Sequence, residues 1–155
     1  MDKSKIADAL EKCDFFEGLE KNYIETIAGL CQVRNHAVGE AVFSQGEPGE
    51  HLYIIIGGLV FLERTIDLGS RKGRVTIESL GPGRVLGCWS TLLDEAHVMM
   101  STAICQEPTT ILTLRGLDLR RMMVENQVFG FSIMEKFCHL LLERIQAAYG
   151  ALEKI

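Results

Sequence analysis

Residues 42–58 of this chain read VFSQGEPGEHLYIIIGG. The stretch 46–50 is a strong loop signal because glycine, proline and charged residues crowd together in it. The near-continuous apolar run 51–56 that follows predicts a strand buried on both faces. The pair Gly57-Gly58 then predicts a turn. The centre of the chain is therefore predicted to be β structure.

The same alternation of short apolar stretches and glycine or proline turns continues on both sides of this segment. Gly81-Pro82-Gly83 is one such turn. Many short strands joined in this way favour a barrel or jelly roll over an open α/β sheet. Residues 85–93 are predicted to pass from a strand end into a short helix. Further strands are predicted at 32–37, 41–45, 59–66, 74–80, 98–106 and 109–114.

Helical periodicity marks both ends of the chain. Asn126 is a candidate N-cap for a long last helix that starts at about Phe129. Other helices are predicted at 3–13, from about Glu20 to Leu30, and at 117–125. The predicted fold class is mainly β with helices at both ends, a double-stranded β-helix or jelly-roll-like β-roll. Its single domain spans 1–155, with N-terminal helices in 1–30, the β-roll in 31–115 and two C-terminal helices in 116–155.

The composition is that of an ordinary soluble domain. Of 155 residues, 47% are hydrophobic and 24% charged, and the net charge is -5. An acidic chain offers no basic face for nucleic acid. The longest apolar run, 52–62, is too short to span a membrane, and no signal segment follows Met1, so we expect a cytoplasmic protein. The five cysteines form no C-x-x-C pair, which argues against a disulfide framework or a zinc site.

The last predicted helix carries a long apolar stripe. Residues three or four apart share one face of a helix, and here they are Ile133, Phe137, Leu140, Arg144, Ala148 and Leu152, with Leu141 and Ile145 beside them. The stripe is predicted to pack on the domain's own roll or on a second copy of the chain, which makes it a candidate dimer helix. The candidate residues are Ile133, Phe137, Leu140, Leu141, Ile145 and Ala148.

Residues 42–58 resemble the first signature of the cyclic-nucleotide-binding domains found in the catabolite activator protein and in the regulatory subunit of protein kinase A. Leu80-Gly81-Pro82-Gly83 is similar to the strand and turn that precede the binding cassette of that family. The resemblance covers nearly the whole chain. It implies the β-roll fold, a regulatory role, a cyclic nucleotide such as cAMP or cGMP as ligand, and a homodimer paired through the last helix.

The binding cassette departs from the family pattern at its two charged positions. Cys88 stands where the resemblance places a ribose-binding glutamate, and Ser101 stands where it places a phosphate-binding arginine. An arginine makes a charge-assisted bond to a cyclic phosphate, whereas a serine hydroxyl makes one neutral bond. Losing one partner of such a buried pair costs about 2–5 kcal/mol. The cassette positions that match are Gly87, Ser90, Thr102 and Ala103.

We therefore predict a regulatory small-ligand-binding module that binds cAMP or cGMP weakly, or binds another ligand. The backbone N–H groups of a helix after Gly87 would still favour an anion. The candidate ligand-binding residues are Gly87, Cys88, Trp89, Ser90, Thr91, Ser101 and Thr102.

Several alternatives stay open. A structural or protein-interaction module with a pocket plugged by Trp89, Met99 or Met100 is the main one. Cys88 is either a reactive thiol, its pKa lowered at a helix N-terminus, or an apolar filler. His97, with Met99 and Met100 nearby, leaves a haem-binding variant of the family as another alternative. We expect no enzyme and no cofactor, because catalytic and nucleotide motifs are missing. We also expect no DNA-binding domain, because the sequence stops at residue 155, and an unknown protein effector as partner.

Overall fold

A computed structural model describes residues 1–154. The chain opens with α1 (Lys3–Glu11), one turn of 3-10 helix (Asp14–Phe16) and α2 (Lys21–Leu30). The Asp2 carboxylate caps α1 by accepting a hydrogen bond from the backbone N–H of Lys5 at 2.9 Å. Both predicted helices are confirmed, but α1 ends two residues before the predicted boundary. The chain turns there and places Phe16 in the core.

Within the described residues ten strands follow, and each pairing between them is antiparallel. The predicted β-roll is confirmed. Two four-stranded sheets have the orders β1-β10-β4-β7 and β2-β9-β5-β6, and β3 pairs with β8. The strands are β1 (Gln32–His36), β2 (Ala41–Phe43), β3 (Pro48–Gly49), β4 (His51–Gly57), β5 (Val60–Asp67), β6 (Lys72–Leu80), β7 (Val85–Leu86), β8 (His97–Val98), β9 (Thr102–Cys105) and β10 (Thr109–Arg115).

Strand β4 separates two hydrophobic clusters, which explains its continuous apolar sequence. Leu52 and Ile54 point towards the terminal helices, whereas Tyr53 and Ile55 point into the interior of the roll. The turn after β4 depends on Gly58, whose φ is +101°. A Cβ atom at Gly58 would lie 2.6 Å from the Cα of Thr109, so only glycine fits this close approach.

The predicted strand 98–106 is wrong as one unit, because the chain breaks into β8 and β9. Between them the backbone of Met99 bonds to the loop before β4. The N–H of Met99 donates to the carbonyl of Glu47 at 2.8 Å, and the N–H of Gly46 donates to the carbonyl of Met99 at 2.9 Å. These bonds replace a strand ladder and direct the Met99 side chain into the roll.

Three helices complete the domain: α3 (Trp89–Leu93), α4 (Gly116–Glu125) and α5 (Gln127–Leu152). The Asn126 side chain accepts a hydrogen bond from the N–H of Phe129 at 3.0 Å, which confirms the predicted cap. Helix α5 begins two residues earlier than predicted. Among residues 1–154, no helix has both the length and the apolar character needed to cross a bilayer.

Candidate ligand pocket

The predicted cassette begins where β7 turns into α3. Gly87 makes this turn with φ +82°, and a Cβ atom there would lie 2.6 Å from the carbonyl oxygen of His51. The far end of α3 is held by α4, because Arg120 donates to the carbonyls of Thr91 and Leu92 at 3.0 and 2.8 Å. The short helix is therefore fixed at both ends.

A cavity of about 100 Å³ lies beside this turn, inside the roll. We call it the cassette pocket. Four of the seven predicted ligand-binding residues line it: Gly87, Cys88, Trp89 and Ser101. The other walls are mostly apolar and come from β2, β5, β7 and the segment before β9. They are Phe43, Leu62, Leu86, Met99 and Met100.

Three predicted ligand-binding residues point elsewhere. The Thr91 hydroxyl donates to the carbonyl of Gly116 at 3.1 Å, and Ser90 is buried against the same glycine. Successive residues of a helix point about 100° apart, so α3 directs Trp89 towards the pocket and the two hydroxyls towards α4. On β9, Thr102 faces away from the pocket and accepts a hydrogen bond from the N–H of Gln45 at 2.9 Å. In this conformation Ser90, Thr91 and Thr102 do not line the cassette pocket, and their assignment to the ligand site stays a prediction.

The cassette pocket is small because a methionine fills part of the roll. Met99 is buried and belongs to the core cluster of the roll, while Met100 lies at the pocket with its side chain largely exposed. Small-molecule sites usually enclose about 300–1,000 Å³. In the conformation described, the pocket is therefore too small for a nucleotide.

Helix α5 forms the remaining wall through Leu140, Leu141 and Arg144. The Arg144 guanidinium lies 2.5 Å from the carboxylate of Glu78 on β6 and donates to the carbonyl of Val85 at 2.9 Å. Glu78 also pairs with Arg84 at 2.5 Å. We call the Glu78–Arg144 pair the helix latch, because it ties α5 to the roll beside the pocket.

Sequence reasoning missed the helix latch. Arg144 occurs four residues after Leu140 on a helix face that is otherwise apolar. A charged residue on such a face indicates a buried partner, since an unpaired buried charge is costly. That signal was present, but the sequence does not show that the partner is Glu78.

Cys88 is a buried thiol with a raised pKa. Burial raises its pKa from the ordinary value of 9.0 to about 11, and the lowering effects of Arg144 and a backbone hydrogen bond are smaller. Helix α3 has only five residues, so its dipole does little to stabilise a thiolate. Cys88 is therefore protonated at neutral pH, which favours its interpretation as an apolar filler.

The predicted dimer stripe divides between four environments. Ile133 and Phe137 are fully buried in the domain's own core, so they are not available to a second chain. Leu140 and Leu141 line the cassette pocket, and Ala148 is half-buried. Only Ile145 is largely exposed among the six.

A different apolar stripe faces solvent along α5. Leu142, Ile145 and Tyr149 expose 52%, 50% and 65% of their surface, so half or more of each side chain is uncovered. From Cys138 onwards the members of this stripe lie alternately four and three residues apart, as in a coiled-coil seam. We call it the outer stripe; it consists of Phe131, Cys138, Leu142, Ile145, Tyr149 and Leu152.

A sequence comparison identifies the family. The profile of the cyclic nucleotide-binding domain matches residues 33–126, more than half of the chain. The chain belongs to this family. The recognition made from residues 42–58 and from the turn at 80–83 is therefore confirmed.

Two bacterial relatives illustrate the similarity. The cyclic AMP receptor protein of Thermus thermophilus is 35% identical over 99 residues, which are 64% of this chain and 44% of that protein. The CRP-like cAMP-activated global transcriptional regulator of Mycobacterium tuberculosis is 27% identical over 90% of this chain and 58% of the regulator. The chain thus spans about half the length of these curated relatives.

Solved structures share the fold. A cyclic nucleotide-binding domain from Methylobacillus flagellatus superposes with a TM-score of 0.78 at 20% identity, covering 99% of this chain and 84% of that one. The regulatory subunit of a cAMP-independent protein kinase A from Trypanosoma cruzi, bound to guanosine, gives a TM-score of 0.63 at 20% identity over 74% and 39% of the two chains. The fold of the cyclic nucleotide-binding domain family is therefore present from α1 to α5.

Proposed function

We propose that this domain is a regulatory ligand-binding module whose ligand acts by moving α5. The observation that carries the proposal is the helix latch beside the cassette pocket. A pocket of about 100 Å³ admits a nucleoside-sized molecule only if one wall moves. At the cassette pocket the α5 wall consists of Arg144 and two leucines. A second ion pair between α5 and the roll, Arg84–Glu143 at 3.6 Å, is exposed and weak, so α5 is the wall best suited to move.

The chemistry of the pocket favours an uncharged ligand. Cys88 is protonated and Ser101 is neutral. Arg144 is the one cationic side chain at the pocket within residues 1–154, and Glu78 already neutralises it at 2.5 Å. A cyclic phosphate buried here would compete with that carboxylate for Arg144. A nucleoside carries no such charge, and the guanosine complex of the trypanosome relative supports this ligand class.

Ligand entry would shift a population between two packings of α5. The closed packing has the helix latch intact, and the open packing leaves room for the ligand at Leu140 and Leu141. A ligand that binds only the open packing shifts the equilibrium by its differential affinity. The output is a change in the position of α5, passed to a protein partner or to a second copy of the domain. The proposal includes neither catalysis nor direct contact with nucleic acid.

The test is isothermal titration with guanosine, cAMP and cGMP, followed in parallel by the fluorescence of Trp89, which lines the pocket. We expect saturable binding of guanosine and at least tenfold weaker binding of both cyclic nucleotides. The double variant Cys88→Glu/Ser101→Arg restores the two charged groups expected from the family and should gain affinity for cAMP. Micromolar binding of cAMP by the unaltered protein would contradict the choice of an uncharged ligand. No binding of any of the three would remove the ligand-binding proposal.

A second candidate function is self-association, and the outer stripe favours it. Helix α5 is apolar both where it packs on the roll and where it faces solvent, which is typical of a helix buried on two sides. The measurement is molar mass by light scattering across a concentration series, with Leu142→Glu/Tyr149→Glu as the disrupting variant. Val38→Glu is the control, because Val38 is also exposed but lies outside α5. A mass of one chain at the highest concentration would exclude this function.

A further inference from the structure

A second cleft lies on the far side of the helix latch. It has a volume of about 430 Å³, within the range of small-molecule sites, whereas the cassette pocket does not reach that range. The end of α1, the turn between β6 and β7, and the middle of α5 form its walls. Its apolar surface is supplied by Phe15, Val85 and Leu140. We call it the α1–α5 cleft.

Positive charge surrounds this apolar surface. Lys12, Arg84 and Lys136 line the cleft, and His139 adds a ring nitrogen. Two carboxylates, Asp14 and Glu143, also lie there, and Arg84 is paired with Glu78 at 2.5 Å. The cations left for a ligand are therefore Lys12 and Lys136, on a chain whose net charge is -5. A local cationic site on an acidic protein indicates an anionic ligand.

In the part of the chain that the structure describes, two of these cations have no carboxylate partner. Within residues 1–154, neither Lys12 nor Lys136 forms a salt bridge. The ammonium group of Lys136 donates to the carbonyl of Glu17 at 2.6 Å, which holds it at the cleft and leaves two of its protons free. A preorganised ammonium group beside an open cleft is suited to a phosphate or carboxylate.

We propose that the α1–α5 cleft binds a small organic anion with an apolar body, such as an alkyl or aryl phosphate. The body packs on Phe15 and Leu140, and the acidic group is held by Lys12 and Lys136. The cleft also adjoins the cassette pocket, because Leu140 lines both.

A chain of ion pairs connects the two sites. Arg84 lines the α1–α5 cleft. Its guanidinium lies 2.5 Å from the carboxylate of Glu78 and 3.6 Å from that of Glu143. Glu78 in turn holds Arg144 at the cassette pocket. An anion that draws Arg84 away breaks its contact with Glu143 on α5, but that pair is long and exposed and contributes little. The same movement leaves Glu78 to Arg144 alone, so the net effect is a stronger helix latch. The bound anion therefore favours the closed packing of α5 and opposes a ligand in the cassette pocket. This coupling rests on the proposed function, whereas binding in the cleft does not.

The probe is cyclohexyl phosphate, which does not absorb where Trp89 fluoresces. Titration calorimetry should show one saturable site per chain, with weaker binding of inorganic phosphate and of cyclohexanol. The variant Lys12→Met/Lys136→Met should raise the Kd about three- to thirtyfold, because each exposed ion pair contributes a modest factor. Lys21→Met removes a lysine at the start of α2, outside the cleft, and should leave the Kd unchanged.

Thermal unfolding of each variant shows whether it is folded. Lys12→Met alone provides a second test, because Lys12 is exposed and its loss leaves the Lys136 contact to Glu17 in place. The cleft assignment is overturned if the double variant binds cyclohexyl phosphate with the same Kd as the unaltered protein. It is also overturned if the unaltered protein shows no saturable binding. These outcomes do not depend on whether guanosine or a cyclic nucleotide binds the cassette pocket. The coupling is overturned if saturating cyclohexyl phosphate leaves the guanosine Kd unchanged.

Discussion

Replacing Arg144 with methionine isolates the helix latch. Methionine keeps much of the aliphatic length of the arginine but removes both polar contacts, the 2.5 Å pair with Glu78 and the 2.9 Å hydrogen bond to Val85. The side chains of Arg144 and Glu78 expose only 19% and 16% of their surface, so the pair is screened less than a surface salt bridge. Its removal should therefore lower the free energy of unfolding measurably.

The expected loss lies between two limits. Exposed pairs contribute about 0–1 kcal/mol, and breaking a fully buried pair costs about 3–5 kcal/mol. Glu78 keeps its pair with Arg84 at 2.5 Å, which excludes the upper limit. We expect a loss of about 2 kcal/mol, which lowers the Tm of a domain this size by roughly 4–8 °C.

The assay is urea and thermal unfolding followed by circular dichroism, with Arg121→Met as the matched control. Arg121 is 70% exposed and lies 3.6 Å from Asp118, so its loss should cost less than about 0.5 kcal/mol. A double-mutant cycle with Glu78→Gln measures the coupling directly. If Arg144→Met costs no more than Arg121→Met, the helix latch does not stabilise the fold. The same conclusion follows if the Glu78 and Arg144 effects add to within about 0.3 kcal/mol.

Three other perturbations follow from the described structure. Gly58→Ala places a Cβ 2.6 Å from the Cα of Thr109 at a residue whose φ is +101°, so it should lower the free energy of unfolding in urea by more than about 2 kcal/mol. In the control Gly57→Ala the new Cβ meets no atom within 4 Å, so the loss should be less than about 1 kcal/mol. Iodoacetamide at pH 7.5 should label the exposed Cys138 first and leave the buried Cys88 of the folded protein unmodified. Mass spectrometry identifies the labelled residues, and rapid labelling of Cys88 would contradict its burial. The Cys88 thiol has a pKa of about 11 in the native state and ionises near 9.0 in the unfolded chain, so the free energy of unfolding should fall as the pH rises between these values. Over that interval the Cys88→Ala variant should lose roughly 1–2 kcal/mol less of its free energy of unfolding than the unaltered protein.

Local sequence patterns were sufficient to predict the fold. The loop and apolar run of residues 42–58 specify β4 because turn residues and a continuous apolar stretch act within a few positions of one another. The N-cap of α5 was also predictable from the sequence, since the Asn126 side chain accepts a hydrogen bond from the N–H of Phe129, only three residues away. The family resemblance rests on the same short-range patterns, and it also predicts the binding cassette at residues 86–103.

The geometry of the candidate site required the tertiary structure. Glu78 and Arg144 are 66 residues apart, and no periodicity links them. The direction of the Ser90 and Thr91 hydroxyls depends on how α3 packs against Gly116, a contact made across 25 residues. The division of α5 into a core face and an outer stripe likewise depends on which side of the helix the roll covers. The strands, the helices and the family were predictable from the sequence alone, because these features depend on residues that are neighbours in the chain. The cassette pocket, the helix latch and the α1–α5 cleft form only where segments distant in the chain pack together. The sequence does not show which of several side chains of similar polarity a given residue will contact, so these features required the tertiary structure.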